Sequence, residues 1–226
     1  MSNNLNQTEL DDIYSKRFGQ KDASRQVLWS TLTQHYFQNF IDKNDTVLDL
    51  AAGYCEFINN IDCKTKYAVD MNPETKKRAA KDVKVYIASS DKLPPTLHGK
   101  VDKVFVSNFF EHLDDKHQLL TTLSEIRKVL KPGGTLMVLQ PNISRTGNDY
   151  WNFVDHSLPI NDKSLCEALE LSGFVVSSLN PRFLPYTSSS SLPIHPLFIR
   201  LYLKFRPAQW LLGKQIFAVA QKPKAE

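Results

Sequence analysis

Cysteine is scarce in this sequence. Cys55, Cys63 and Cys166 are the three cysteines among 226 residues, and no two of them form a CxxC pair. An odd number of cysteines without that spacing indicates neither a disulfide framework nor a structural zinc site. We therefore predict no metal ligands, and we expect a reducing compartment, the cytoplasm.

Long hydrophobic runs are missing as well. No apolar run approaches the roughly 20 residues that a membrane-spanning helix needs, and the polar, acidic N-terminus does not have the pattern of a secretory signal. With 42% hydrophobic and 23% charged residues, the composition is that of an ordinary globular protein. This length suits one α/β core, whereas a second core would be cramped. A single domain is predicted over 1–226, with an N-terminal helical segment at 1–42, a core at 43–179, an insertion at 180–214 and a last strand at 215–221.

A strong charge of one sign is also absent. The formal net charge is +4, and a solvated face is the ordinary interpretation of such an excess, with anionic lipid as an alternative partner. Because the sequence has neither a sustained basic stripe nor an Asn-Pro-Pro-Tyr type of base-flipping motif, no nucleic-acid partner is expected. The late basic residues, opposed only by Glu226, are Arg200, Lys204, Arg206, Lys214, Lys222 and Lys224.

What the sequence does contain is an alternation of short apolar runs with amphipathic segments. The amphipathic segments predict helices, and the apolar runs are typical of buried parallel strands. Repeated alternation of this kind predicts an α/β fold with a mainly parallel sheet and helices on both faces. The predicted strands are 46–49, 66–70, 83–88, 101–107, 135–140, 174–179 and 215–221, and the main predicted helices are 25–41, 119–130 and 161–173.

Local signals predict where several helices begin and end. Asn72 and Pro73 have the residue types of an N-cap and a first helical residue, so a helix should follow the strand that carries Asp70. The segment Lys131–Gly134 should close the helix before it, because Pro and Gly do not continue helices. Asp162 is the predicted cap of the helix that stops at Gly173.

Four segments resemble, in order and spacing, the motif series of the Rossmann-like class I S-adenosylmethionine-dependent methyltransferases. They are VLDLAAGYCEF (47–57), Asp70, SNFFEHL (107–113) and KPGG (131–134). The resemblance covers about residues 45–140. It implies a seven-stranded, mostly parallel sheet with helices on both faces, extra N-terminal helices and an insertion before the last strand. It also implies S-adenosyl-L-methionine as the cofactor and S-adenosyl-L-homocysteine as the product.

The residues themselves give physical reasons for a cofactor site. Gly53 allows the main chain to approach a ligand, and Asp70 follows Asp49 at the spacing where a carboxylate on the second strand meets two ribose hydroxyls. By the resemblance, Asp49 holds the amino-acid portion of the cofactor. The other implied cofactor-binding residues are Ala51 and Met71, Ser89 and Ser90 beside the adenine, Asn108 and Phe109 beside the sulfonium, and Tyr14 over the methionyl end.

The glycine loop departs from the common G-x-G-x-G pattern, because Ala51 and Cys55 replace two glycines. These side chains are tolerable if both residues keep negative φ, and otherwise strain of about 1 kcal/mol or more is expected. The departure motivates an alternative, in which the chain binds the cofactor as an inactive partner protein. A nucleic-acid methyltransferase is a third option, motivated by the late basic residues.

An alcohol acceptor needs a general base, and histidine is the usual choice near neutral pH. His156 is the favoured candidate because it lies in the polar, aromatic connection after the fifth strand, and His112 follows the fourth strand. Asp155 is an alternative base or the partner that orients the base. The ordinary structural roles are a turn contact for His112 and a helix cap for His156.

The residues alone allow several roles for the insertion and do not identify the acceptor. Residues 197–210 are apolar and basic, so they could form a lid, a cap packed on the core or a peripheral membrane contact at the inner face of the membrane. The segments FINNI, NFFEHL, YWNFVDH, RFLPY and LLGKQIFAVAQKP resemble bacterial methyltransferases associated with surface-polysaccharide assembly. That resemblance implies O-methylation of a sugar or another small hydroxylated acceptor, alone or on a glycan.

Overall fold

The computed structural model describes residues 22–186 and 194–224. Tyr14 and part of the predicted insertion, 187–193, lie outside these residues. Seven strands form one sheet in the order β3-β2-β1-β4-β5-β7-β6, in which only β7 runs antiparallel to its neighbours. The strands are β1 Thr46–Leu50, β2 Thr65–Asp70, β3 Val83–Ile87, β4 Val101–Ser107, β5 Leu130–Pro141, β6 Val175–Asn180 and β7 Gln215–Gln221. The predicted fold class is confirmed.

Helices connect the strands. Short 3-10 segments lie at Phe37–Phe40, Pro95–Leu97, Phe110–His112 and Gly147–Asn152. The α-helices are α1 Asp22–His35, α2 Thr75–Arg78, α3 Lys116–Val129, α4 Ile143–Thr146, α5 Asp162–Leu171, α6 Pro196–Lys204 and α7 Arg206–Leu212. The predicted helix at 25–41 is thus α1 followed by a 3-10 turn.

Two predictions about helix ends are wrong, and one is confirmed. Asn72 does not cap a helix that starts at Pro73, because its Oδ1 accepts the N–H of Glu74 (2.8 Å) in a turn and the one-turn α2 follows at Thr75. Helix α3 does end before KPGG, at Val129, and the segment itself lies inside β5. The cap of α5 is Asn161 rather than Asp162, since Asn161 Oδ1 accepts the N–H of Ser164 (2.9 Å).

The sheet separates two apolar cores, as the alternation of side chains along a strand requires. On β4, Val104 and Val106 belong to one cluster with α3 and α5, whereas Phe105 belongs to the other cluster with α1. The second core is rich in aromatic rings, and Phe57 stacks on Phe105 with a centroid distance of 3.9 Å. Both faces of the central strands are therefore fixed, which sets the positions of the strand ends.

The insertion helices pack against the N-terminal helix. Helices α1 and α6 are in contact, and the hydroxyl of Tyr202 on α6 donates to the carbonyl of Phe183 (2.9 Å). On α7, the side-chain oxygen of Gln209 accepts from Nδ2 of Asn180 at the end of β6 (3.0 Å). These contacts place α1 and the insertion together beside the strand ends that are described next.

Candidate cofactor and acceptor site

A cavity of about 1100 Å³ opens at the carboxyl ends of β1 and β4. In a doubly wound sheet this is where strand order reverses and ligands bind. The predicted site residues that line the cavity are Asp49, Ala51, Gly53, Asn108, His112 and His156. Apolar side chains of α1 and α6, including Trp29 and Phe198, also line the cavity. The cavity therefore joins the glycine loop to the region of the candidate base.

The loop after β1 keeps a glycine-like backbone in spite of its sequence. Ala51, Gly53 and Cys55 have φ values of 55°, 50° and 61°, so of the two cases stated for Ala51 and Cys55 the strained one applies. Left-handed backbone at a non-glycine residue costs about 1 kcal/mol or more. The Cys55 side chain does not fill the crevice, because it is fully buried with Sγ 3.7 Å from the carbonyl of Thr75. A Cβ built on Gly53 would meet nothing within 4 Å, so the space above it is open.

Asp70 holds this loop in place from the end of β2. Its Oδ2 accepts the N–H of Gly53 (2.8 Å), and its Oδ1 accepts the N–H of Asn72 (2.8 Å). Burial raises the pKa of Asp70, and these hydrogen bonds oppose the rise. Each carboxylate oxygen can accept a second hydrogen bond. Asp70 supports the loop but is not among the residues that line the cavity, so its contact with ribose hydroxyls stays a prediction.

The crevice carries a surplus of buried negative charge. Asp49 is only 4% exposed, and its pKa is raised well above the usual range by burial and by the neighbouring Glu56 carboxylate. Arg25 of α1 forms an ion pair with Glu56, and the carboxylate of Asp70 adds to the repulsion at Asp49. A cationic ligand would relieve this repulsion. The sulfonium and ammonium groups of S-adenosylmethionine fit that requirement.

Not every predicted cofactor residue reaches the cavity. Ser90 is buried and its Oγ lies 3.0 Å from Thr122 Oγ1 of α3, because the helix offers the hydroxyl a partner in the core. Met71 is 60% exposed, and Ser89 and Phe109 are not among the lining residues. Asn108 does line the cavity, with a φ of 47° and its N–H donated to the carbonyl of Leu139 (2.8 Å).

A polar cluster lies at the β4 side of the cavity. His112 Nδ1 lies 3.0 Å from the backbone oxygen of Asp155 and 3.3 Å from its carboxylate Oδ2. The ring of His156 stacks on Phe153 and lies 5.0 Å from the ring of His112. Glu111 is 1% exposed, and burial raises its pKa. Asp155 thus orients His112. The sequence had favoured the adjacent histidine, His156, as the general base.

Sequence reasoning missed three functional candidates. Arg25 lies before the motif series, and nothing local indicates that α1 reaches the glycine loop. Glu56 and Glu111 lie inside the motif segments, but the resemblance assigns neither a role. A carboxylate that follows a buried strand, as Glu111 follows β4, is a signal that could have identified one of them.

Comparisons with known proteins agree with this architecture. Residues 48–138, less than half of the chain, match the family model described as a methyltransferase domain. No curated protein sequence matches the chain. An S-adenosylmethionine-dependent methyltransferase from Archaeoglobus fulgidus is 19% identical with a TM-score of 0.64, and the match covers 94% of this chain and 99% of the other.

Two further solved structures have the same fold. A chain of the complex that contains the Haloferax volcanii Trm112 methyltransferase activator is 18% identical, with a TM-score of 0.65 and coverage of 94% and 97%. A Thermotoga maritima methyltransferase, described as a possible histamine N-methyltransferase, is 14% identical, with a TM-score of 0.65 and coverage of 93% and 98%. At these identities the likeness concerns the fold.

The sheet order and these matches define a Rossmann-like class I methyltransferase fold. The domain match, together with the carboxylate-rich crevice, supports S-adenosylmethionine as the cofactor. The class of enzyme that they support is an S-adenosylmethionine-dependent methyltransferase. Among the described residues, no helix is both long and apolar enough to cross a membrane.

Proposed function

We propose that the protein is an O-methyltransferase that acts on a sugar or another small hydroxylated acceptor. The observation that carries the proposal is that one cavity joins the carboxylate-rich crevice of Asp49 and Gly53 to the histidine cluster of His112 and His156. The first end suits a cationic methyl donor, and the second suits an acceptor that must lose a proton. A glycan acceptor in surface-polysaccharide assembly rests on the sequence resemblance.

The chemistry follows from that arrangement. S-adenosylmethionine supplies an activated methyl group, and its sulfonium leaves as a neutral thioether when the acceptor oxygen bonds to the methyl carbon. The protein aligns the two reactants and excludes water. The hydroxyl proton passes to the imidazole of His112, which Asp155 orients, or of His156. A histidine held at Nδ1 by a carboxylate presents Nε2 as the proton acceptor.

The insertion bears on the kind of acceptor. Side chains of α6, among them Phe198, Leu201 and Tyr202, line the cavity, and Phe198 and Leu201 are also about half exposed. Arg200 and Lys204 lie on the same helix. This combination supports contact of α6 with the inner face of a membrane and an acceptor linked to a lipid. The alternatives to membrane contact are that 180–214 forms a mobile lid or a fixed cap.

The test starts with the cofactor. S-adenosylmethionine or S-adenosylhomocysteine should raise the melting temperature, and Asp70→Ala should abolish the shift, while Asp91→Ala, an exposed carboxylate, should not. Because Asp70 also supports the loop, Asp70→Asn is measured beside it with circular dichroism to check folding. Methyl transfer is then assayed on nucleotide sugars, lipid-linked glycans and phenols. No thermal shift at saturating ligand would contradict the proposal.

An inactive cofactor-binding partner protein is the second candidate. The strained backbone at Ala51 and Cys55 favours it, because the loop departs from the usual glycines. The Haloferax volcanii complex places a chain of this fold beside an activator protein, which suggests a protein partner for this chain too. Binding of the cofactor without methyl transfer to any acceptor of the panel would favour this candidate, and a methylated product would eliminate it.

A further inference from the structure

Three residues at the β4 side of the cavity bring metal-ligating atoms together. Glu111, His112 and His156 each offer one such atom, and the three atoms lie within 4.8 Å of one another. All three residues line the cavity, and Glu111 and His156 are buried. They come from two separate connections, after β4 and after α4, so sequence spacing alone could not predict the cluster.

The surrounding side chains orient these atoms in the way that outer-shell residues orient metal ligands. The Nδ1 side of His112 is held by Asp155, which leaves Nε2 facing Glu111 Oε1 at 3.9 Å. Gln140 Nε2 donates to Glu111 Oε2 (2.8 Å), which leaves Oε1 as the oxygen that faces His112. A carboxylate on the far nitrogen of a ligating histidine fixes its ring and raises its basicity.

We propose that Glu111, His112 and His156 bind one divalent transition-metal ion. Two imidazole nitrogens and one carboxylate oxygen suit Mn²⁺, Fe²⁺, Co²⁺ or Zn²⁺ better than Mg²⁺ or Ca²⁺, which prefer oxygen ligands. Ligand atoms about 2.1 Å from an ion lie roughly 3 to 3.5 Å apart, so the side chains need to close by about 1 to 2 Å. Three protein ligands leave positions open to the cavity.

The charges around the cluster agree with a bound cation. The acidic groups there are Glu111 and Asp155. The aromatic rings of Tyr150 and Tyr186 pack beside the ring of His156. A hydrogen-bonded cluster without an ion is the competing explanation, and it predicts no dependence of metal content on these side chains.

The role of the ion deepens the proposed O-methylation and rests on it, although the binding itself does not. An ion at this position would bind the acceptor hydroxyl and lower its pKa, so the proton would leave to water and His112 would act as a ligand. An acceptor with two adjacent oxygens, such as a vicinal diol, would fill two open positions. We therefore expect such acceptors to be preferred.

The first experiment measures metal content and needs no substrate. Untagged full-length protein is stripped with a chelator, dialysed against Mn²⁺, Co²⁺ or Zn²⁺ and analysed by mass spectrometry. About one ion per chain is expected in the wild type, and the Co²⁺ form should show d–d absorption. Glu111→Gln and His156→Ala should lose both, whereas the exposed-histidine control His98→Ala should keep both. Equal metal content in all variants, or none in the wild type, would overturn the site.

A second variant guards against misfolding. Asp155→Asn leaves all three ligands in place and should weaken metal affinity about 10- to 100-fold through the orientation of His112. Each variant should keep its circular dichroism spectrum and its thermal shift with S-adenosylmethionine, because Asp49 and Asp70 are intact. Metal binding without methyl transfer would leave the site standing and contradict the proposed function. Full activity in metal-free protein would leave the proposed function standing and contradict the role of the ion in it.

Discussion

The two ends of the cavity are assembled in different ways. The cofactor end comes from one short segment, 49–56, with Asp70 and Arg25 added to it. The acceptor end joins Glu111 and His112 to a segment 43 residues further along the chain. A local segment forms the first, whereas only the folded sheet brings the parts of the second together. A local sequence motif can therefore identify the cofactor end, whereas no local motif contains the whole acceptor end.

The largest expected effect is a change at the acceptor end that lowers the rate of methyl transfer and leaves cofactor binding unchanged. His112→Ala should lower kcat by about 10²- to 10⁴-fold, since a general base or the equivalent activating group contributes that much. The thermal shift with S-adenosylmethionine should stay near the wild-type value, because Asp49 and Asp70, which we assign to the cofactor, are unchanged. Steady-state kinetics and melting curves measure the two quantities.

The control for that prediction is His117→Ala, an exposed histidine on α3. It should leave both quantities unchanged. A His112→Ala protein that lost cofactor binding together with activity would show that the two ends are coupled, and the comparison would then be incorrect.

Sequence patterns predict the strands that carry the cofactor end, but not the position of every side chain there. Strands β4 and β7 have their predicted bounds, and Asp70 meets Gly53 as the parallel arrangement of β1 and β2 requires. The sign of φ at Ala51 was not predictable, because the tertiary contacts of the loop override the local preference. The contacts of Ser90 with Thr122 and of Asp155 with His112 depend on distant elements, so no local pattern contains them.

A smaller effect concerns the charge of the cofactor end. Burial and Glu56 raise the pKa of Asp49 in the folded protein. Protonated Asp49 therefore stabilises the folded protein fully at a pH below the pKa that Asp49 has in the unfolded chain. This stabilisation is lost as the pH rises through the higher pKa of Asp49 in the folded protein. Asp49→Asn removes this loss. Without ligand, the variant should be the more stable protein, by a margin that grows with pH up to neutrality, as urea unfolding at several pH values would show.

The same substitution should act in the opposite direction on the cofactor. The neutral amide no longer attracts a sulfonium or ammonium, so the thermal shift with S-adenosylmethionine should shrink. Asp91→Asn, in an exposed turn, is the matched control and should change neither measurement. If Asp49→Asn destabilised the ligand-free protein at neutral pH, the surplus of negative charge would not be the property that defines this end.

The smallest effect tests the strain in the glycine loop. Ala51 has a φ of 55°, where glycine has no steric penalty, whereas Ala79 has a φ of −68°. Ala51→Gly should relieve about 1 kcal/mol of strain, partly offset by the greater freedom of glycine in the unfolded chain, for a net gain of up to about 0.5 kcal/mol. Ala79→Gly gains no relief and should lose about 0.5 to 1 kcal/mol. If both substitutions destabilised equally in urea unfolding, the loop would hold no strain, and the alanine would give no reason to expect an inactive cofactor site.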